Sequence, residues 1–137
     1  MTDKPGSVPP PLCKAILLCE RVDTDPITRQ FNLYGVFDTF HLDSFPGCTI
    51  PFAVFPLLAG SQGGQEVWVE VHDPQTGQQL GHTSPALVPF PGRADCILQP
   101  FACAPLFLPS PGGYDLVVHG TAGEIDRLRF AAQTSLE

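Results

Sequence analysis

Proline and glycine interrupt this sequence so often that a long helix has no place to form. Sixteen prolines and thirteen glycines are spread between short apolar runs of the 137-residue chain. Apolar residues rarely recur with helical spacing without a proline nearby, and a proline inside a helix removes a hydrogen bond and clashes with the preceding turn. Because 43% of the residues are apolar and only 15% are charged, a packed core is expected. The pattern is typical of an all-β domain.

We predict an immunoglobulin-like antiparallel β-sandwich of seven to eight strands, with a small closed barrel as the alternative. Two apolar runs joined by the turn around Asp25 and Pro26 form its first strand pair. The strand over residues 49–58 contains two prolines, so we expect it at a sheet edge or broken. The predicted strands cover residues 13–19, 31–42, 49–58, 65–72, 78–88, 94–100, 114–119 and 125–132.

The strand over residues 65–72 has the clearest period of two. Val67, Val69 and Val71 fall on one face of it, and the alternate positions on the other face include Trp68 and Glu70. This alternation predicts an antiparallel strand that is buried on its valine face only.

The domain organisation is predicted from the same distribution of proline, glycine and apolar residues. Residues 1–12 are predicted to be a flexible, proline-rich N-terminal arm, residues 13–133 a single domain and residues 134–137 a short C-terminal tail. The N-terminus lacks the apolar segment of a signal peptide, and no stretch approaches about 18 apolar residues. A cytoplasmic location without membrane contact is therefore expected.

Charge and cysteine usage limit the possible partners and chemistry. The formal charge of −7 repels phosphate backbones, which argues against nucleic acid as a partner. The five cysteines form no C-x-x-C pair and are expected to be small buried apolar residues. A cysteine-dependent enzyme would need an exposed thiol with a lowered pKa beside a histidine.

Metal sites and catalytic motifs are not predicted. Four aspartates (Asp23, Asp25, Asp38 and Asp43) are calcium candidates, although the first pair also suits simple turn chemistry. The four histidines are far apart in sequence and form no zinc motif, and Gly60–Gly64 lacks the features of a nucleophile elbow or a phosphate loop. We expect no catalytic residue, no cofactor, no metal and no enzymatic activity.

Trp68 and five phenylalanines are the candidates for a contact surface. Trp68 lies on the polar face of its strand, either under a loop or as an exposed anchor. The phenylalanines flank prolines and either pair the chain with a partner or fill the open ends of the sandwich. This possible interaction surface consists of Trp68, Phe52, Phe55, Phe90, Phe101 and Phe107.

Tyr114 follows a proline–glycine turn at residues 111–113. A tyrosine at this place is similar to the corner tyrosine of Greek-key sandwiches, whose hydroxyl bonds to nearby backbone. We expect an architectural role for it.

Several short segments resemble a family of small bacterial all-β proteins of unknown function. Its members have Cys-Asp/Glu-x-Val, a turn with Asp and Thr-Gly-Lys, and a strand ending Leu-x-Gly-Val/Ile-Phe/Asp. The matching segments here are residues 19–22, 25–28 and 32–38, followed by the valine strand and turn at 67–77 and the Gly-x-Tyr strand at 112–118. The resemblance covers most of residues 13–132 and implies an immunoglobulin-like sandwich with no assigned activity. Thr28-Arg29-Gln30 departs from Thr-Gly-Lys, so that turn is expected to differ in type.

These observations favour a non-catalytic protein-interaction or assembly module, with a protein partner or a second copy of the chain. The alternative is a ligand-binding sandwich for carbohydrate or calcium, with Trp68 as the candidate carbohydrate platform.

Overall fold

Fourteen β-strands and no helix are found in residues 8–92 and 96–135, the residues that the computed structural model describes. The all-β prediction is confirmed. The number of strands exceeds the seven or eight expected: the predicted strand 31–42 separates at Gly35 and 78–88 at Pro85, and residues 21–24, 47–48, 101–103 and 107–108 form additional short strands. The strands are β1 (Leu12–Cys19), β2 (Arg21–Thr24), β3 (Phe31–Tyr34), β4 (Thr39–Leu42), β5 (Gly47–Cys48), β6 (Phe52–Ala59), β7 (Gly63–His72), β8 (Gln79–His82), β9 (Ala86–Phe90), β10 (Cys96–Leu98), β11 (Phe101–Cys103), β12 (Phe107–Leu108), β13 (Gly112–Gly120) and β14 (Gly123–Thr134).

The larger sheet has the order β4-β14-β13-β7-β8, and β9 also pairs with β7. All of its pairs are antiparallel except β14 with β4, which run parallel. The predicted alternation in β7 is confirmed, since Val67, Val69 and Val71 are almost fully buried. The opposite, outer face of this sheet carries the polar side chains of β7, β13 and β14.

The smaller sheet has the order β1-β6-β10, and β11 pairs with another part of β6. The strand predicted at residues 49–58 is interrupted at its start, because residues 49–51 lie outside any strand and the strand begins after Pro51. Its predicted position at a sheet edge is wrong, because β6 is the central strand of this sheet. It accommodates Pro56 because its partner on one side is divided: β10 pairs with residues 57–59 and β11 with residues 52–54. No residue of either strand is in register with Pro56, where the N–H is missing.

A two-stranded ribbon, β2–β3, lies against the outer face of the smaller sheet. Phe31 of the ribbon packs edge-on against Phe55 of β6. Gly35 follows the ribbon with φ +65°, and a Cβ there would approach the Glu20 side chain to 2.7 Å. The left-handed backbone conformation at Gly35 favours glycine, which has no Cβ. A second ribbon is formed by β5 and β12.

One hydrophobic core receives the inward side chains of both large sheets. Phe40 is near its centre and makes edge-on contacts with Phe37, Phe52 and Phe130. The smaller sheet contributes Leu18, Phe52, Val54, Leu58 and Phe101, and the larger sheet contributes Phe40, Leu42, Val67, Val69, Val71, Val88, Phe90, Tyr114, Leu116, Val118, Phe130 and Ala132.

The ends of the described chain are held more firmly than predicted. Residues 1–7 of the predicted arm and residues 136–137 of the predicted tail lie outside the described residues, as does the start of the strand predicted at 94–100. Within the described part, the buried Ser61 hydroxyl donates to the Pro9 carbonyl at 2.8 Å, Pro11 is buried and β1 already begins at Leu12. At the other end, Ser135 N–H donates to the Leu42 carbonyl at 2.7 Å. In the described residues there is no helix with the length and apolar character that crossing a bilayer requires.

Candidate functional site

Four of the five phenylalanines proposed as a contact surface are buried. Phe52, Phe90 and Phe101 are core residues, and Phe55 is covered by the β2–β3 ribbon. The prediction that these four form an exposed surface is therefore corrected: three of them point into the core, because the flanking prolines do not prevent the strands from turning them inward, and Phe55 is covered from outside by the ribbon. Phe107 is 56% exposed.

A different apolar surface is found on the outer face of the smaller sheet. Residues that are directly opposite in antiparallel strands project to the same face. The register pairs Leu12 with Ala59, Ala15 with Leu57 and Leu17 with Phe55 across β1 and β6. It pairs Leu57 with Leu98 and Ala59 with the exposed Cys96 across β6 and β10. We call this surface the leucine face, and its members are Leu12, Ala15, Leu17, Leu57, Ala59, Cys96 and Leu98.

The leucine face is the part of the sheet that the ribbon leaves open. Phe31 covers Phe55 at one end, whereas Leu12, Leu17 and Leu98 are 62%, 43% and 41% exposed. The β-sheet alternation that would place polar residues on a solvent-facing side is absent here. An apolar sheet face with exposed leucines on its outer strands is typical of a contact surface.

Trp68 lies on the outer face of the larger sheet, in a cluster of polar side chains. Its indole ring stacks on the His119 imidazole, with ring centroids 5.7 Å apart and planes inclined by 9°. Its Nε1–H donates to Glu70 Oε2 at 2.9 Å. Glu70 Oε1 lies 2.7 Å from His72 Nε2 and 3.2 Å from His119 Nε2. The sequence prediction placed Trp68 on the polar face of its strand, and the alternation observed in β7 agrees with it.

The register of three strands creates this cluster. His119 of β13 lies opposite both Trp68 of β7 and Glu124 of β14, and Val117 lies opposite Glu70. A bulge after Val118 brings Glu124 into line with His119. The almost fully buried Val117 forms the apolar floor beneath the polar groups.

Hydrogen bonds determine the electrostatics of the cluster. Burial alone would raise the pKa of Glu70, but the hydrogen bonds from Trp68 and His72 and the nearby His119 outweigh it and hold that pKa below its usual range. Arg127 donates to both Glu124 oxygens, at 2.6 and 2.8 Å, and these bonds lower the pKa of the Glu124 carboxyl. The buried Asp115 accepts from Arg127 at 3.1 Å and from Arg129 at 2.6 Å.

The other candidate metal ligands do not come together in the described residues. Asp25 accepts from Ile27 N–H and Thr28 N–H, which is turn chemistry, and these bonds lower the pKa of its carboxyl. In the described part of the chain, Asp23, Asp25, Asp38 and Asp43 belong to no group of three side chains that could hold a metal ion. Sequence spacing missed the cluster of Glu70, His72 and His119, because β13 joins β7 only through the fold.

The thiols of Cys13, Cys19 and Cys103 are not activated as nucleophiles, because the pKa of each is raised. Desolvation by burial raises the pKa of Cys13 to about 11 and that of Cys103 to about 12, and it also raises the pKa of Cys19. Cys48 and Cys96 are exposed, and all five cysteines are free thiols.

The chain has weak similarity to solved structures. No protein-family model matches it. None of the curated proteins matches it. An immunoglobulin-like protein from Pseudomonas aeruginosa is 14% identical over 91% of this chain and 98% of its own, with a TM-score of 0.45. An alkylpurine DNA glycosylase from Pseudomonas fluorescens, bound to DNA containing an abasic site analogue, is 10% identical over 86% of this chain and 30% of its own, with a TM-score of 0.43. At this similarity neither structure bears on what this chain binds.

Proposed function

We propose that the chain is a non-catalytic protein-interaction module with an immunoglobulin-like sandwich architecture, which pairs with a second copy of itself through the leucine face. The observation that carries this proposal is the exposure of Leu12, Leu17 and Leu98 on one face of the smaller sheet. Burying such a surface gives roughly 25 cal/mol for each Å² of apolar area removed from water. The resemblance to small bacterial proteins without an assigned activity is compatible with the same role.

The shape and charge of the leucine face suit a second copy. Its members are neutral, and two sheet faces that stack with aligned strands form a self-complementary, two-fold interface. Each chain carries a formal charge of −7, which opposes self-association. At physiological salt the Debye length is about 8 Å, so repulsion between charges remote from the contact is largely screened. We therefore expect pairing to strengthen as salt is raised.

The thiols support both the absence of catalysis and a cytoplasmic location. An enzyme that uses cysteine needs a thiolate, and the raised pKa of Cys13, Cys19 and Cys103 disfavours one. Five free thiols also suit a reducing compartment.

Light scattering coupled to size-exclusion chromatography tests the pairing. We expect the wild-type chain to form a dimer as its concentration rises through the micromolar range. Leu17→Glu places a charge on the leucine face, at its end beside the ribbon, and should give a monomer with an unchanged circular dichroism spectrum. Leu98→Glu repeats the test on the other side of the face.

The matched control is Leu87→Glu. Leu87 is 70% exposed on β9, which belongs to the larger sheet and not to the sheet that carries the leucine face, so this variant should remain dimeric. A wild-type chain that stays monomeric up to millimolar concentration would contradict the self-pairing. A dimer that survives both leucine substitutions would show that another surface is used.

A further inference from the structure

We propose that Glu70, His72 and His119 form a binding site for a divalent transition-metal ion of the Zn²⁺ class. This inference is independent of the proposed pairing, because the site is on the larger sheet and the leucine face is on the smaller one. It assigns a ligand to the polar cluster around Trp68.

The three side chains already present one ligand atom each in a small volume. The Glu70 carboxylate oxygen and the two imidazole nitrogens all lie within 4.8 Å of one another. In a tetrahedral zinc site with bonds of about 2.0–2.1 Å, neighbouring ligand atoms are about 3.3 Å apart. The distance from Glu70 Oε1 to His119 Nε2 is 3.2 Å, and that to His72 Nε2 is 2.7 Å. Small side-chain rotations are sufficient to admit an ion.

The strands hold these ligands in place. Glu70 and His72 are two residues apart on β7 and therefore share one face, and His119 projects from the adjacent position on β13. Sites built on paired strands are more precise than sites built on loops.

Trp68 supplies the outer support that metal ligands normally have. It donates to Glu70 Oε2, which leaves Oε1 directed toward the two histidines, and it stacks on the His119 ring. Such supporting contacts orient the ligands, and losing one typically reduces metal affinity by about 10–100-fold. Together with the close spacing of the three ligand atoms, the two contacts made by Trp68 favour a metal site over a simple histidine–carboxylate pair.

The surroundings leave one coordination position open. The ligand side chains keep 18–30% of their surface exposed, at a depression of about 440 Å³ that Asp73 and Pro74 also line. Glu124 is nearby, but both of its oxygens accept from Arg127. His82 lies opposite Glu70 on β8, with its ring against Gln79. Two imidazoles, one carboxylate and an open position suit zinc and its neighbours better than calcium, which needs six to eight oxygens.

Isothermal titration of the full, untagged chain with Zn²⁺ tests the site. We expect one Zn²⁺ per chain, and an affinity at least about tenfold weaker in Glu70→Gln and in His119→Gln. The chain has a single tryptophan. Because Trp68 contacts two of the ligands, Ni²⁺ should quench its fluorescence, and excess Zn²⁺ should restore the emission by displacing Ni²⁺.

Two further variants complete the test. Trp68→Phe retains the ligands but loses the hydrogen bond to Glu70, so it should still bind one Zn²⁺ with about tenfold lower affinity. His41→Gln removes an exposed histidine of β4 and should bind like the wild type. The proposal is overturned if the wild-type chain binds no Zn²⁺, or if Zn²⁺ binds equally well to folded Glu70→Gln and His119→Gln. If either ligand variant fails to fold, His72→Gln takes its place.

Discussion

Phe31 packs edge-on against Phe55, with ring centroids 5.1 Å apart, and this contact marks where the leucine face ends. On one side of it the ribbon seals the outer face of the smaller sheet. On the other side the leucines remain open to solvent. The ribbon is therefore a partial lid on a sheet whose outer face is apolar from end to end.

Replacing Phe31 tests how much this lid contributes to stability. Phe31→Ala removes the edge-on contact and exposes Phe55, so the free energy of unfolding should fall by about 1–3 kcal/mol. Urea denaturation followed by circular dichroism measures the change. Ile27→Ala alters the same ribbon at an exposed position and should leave the midpoint unchanged. An equal loss in both variants would mean that the packing of Phe31 is not the cause.

Tyr114 offers a test that concerns one hydroxyl group. Its ring is buried, and its O–H donates to the Ser110 carbonyl across the turn before β13, as expected of a corner tyrosine. Tyr114→Phe keeps the ring and removes the donor, which should lower the free energy of unfolding by about 1–2 kcal/mol. Thermal unfolding measures this, with Tyr34→Phe, on the exposed ribbon, as the control. An unchanged melting temperature would show that the Ser110 carbonyl finds another donor.

Arg29 has φ +63° in the ribbon turn, a left-handed conformation that side chains with a Cβ disfavour. Arg29→Gly should therefore raise the free energy of unfolding by up to about 1 kcal/mol, the relief of strain being partly offset by the flexibility of glycine when unfolded. Urea denaturation checks the direction, and Arg29→Ala, which retains the Cβ, should give no gain. A loss of stability in Arg29→Gly would contradict the assignment of strain.

Cys103 should make the fold sensitive to alkaline pH. Burial raises the pKa of its thiol to about 12, from 9.0 when it is not buried. Below pH 9 both states keep the proton, so stability is unaffected. Between pH 9 and 12 the unfolded chain releases the proton and the folded chain does not, so the free energy of unfolding falls as pH rises.

The variant Cys103→Ala isolates this effect from other groups that titrate in the same range. We expect the decline in stability between pH 8 and 10.5 to be shallower in Cys103→Ala than in the wild type. Cys48→Ala, at an exposed thiol, should follow the wild-type curve. Parallel curves for all three proteins would refute the contribution of Cys103.

Local patterns predicted the parts of the fold that depend on neighbouring residues. The valine alternation of β7 and the turn bond of Tyr114 both arise from residues close in sequence. The position of Pro56 could not be predicted in the same way, because a central proline is tolerated only if the partner strand is interrupted opposite it. That interruption between β10 and β11 lies in a distant part of the chain.

The candidate surfaces likewise depend on contacts between distant segments, which local sequence patterns do not predict. Prolines beside Phe52 and Phe90 indicated loops, but burial depends on which face of a strand each ring occupies once the sheets pack. The leucine face could not be predicted, because an unbroken apolar run such as residues 15–18 indicates a strand that is buried on both faces. His119 reaches Glu70 only through the pairing of β13 with β7, which no spacing of histidines in the sequence reveals.

The parallel pairing of β14 with β4 has a consequence for the order of synthesis. Thr39–Leu42 are synthesised well before their hydrogen-bonding partners, residues 131–134, because the two segments are far apart in the sequence. Contacts between such distant segments cannot form until both are available. The larger sheet therefore acquires its edge strand β4 last. Until then, the apolar side chains of Phe40 and Leu42 cannot be buried by this sheet.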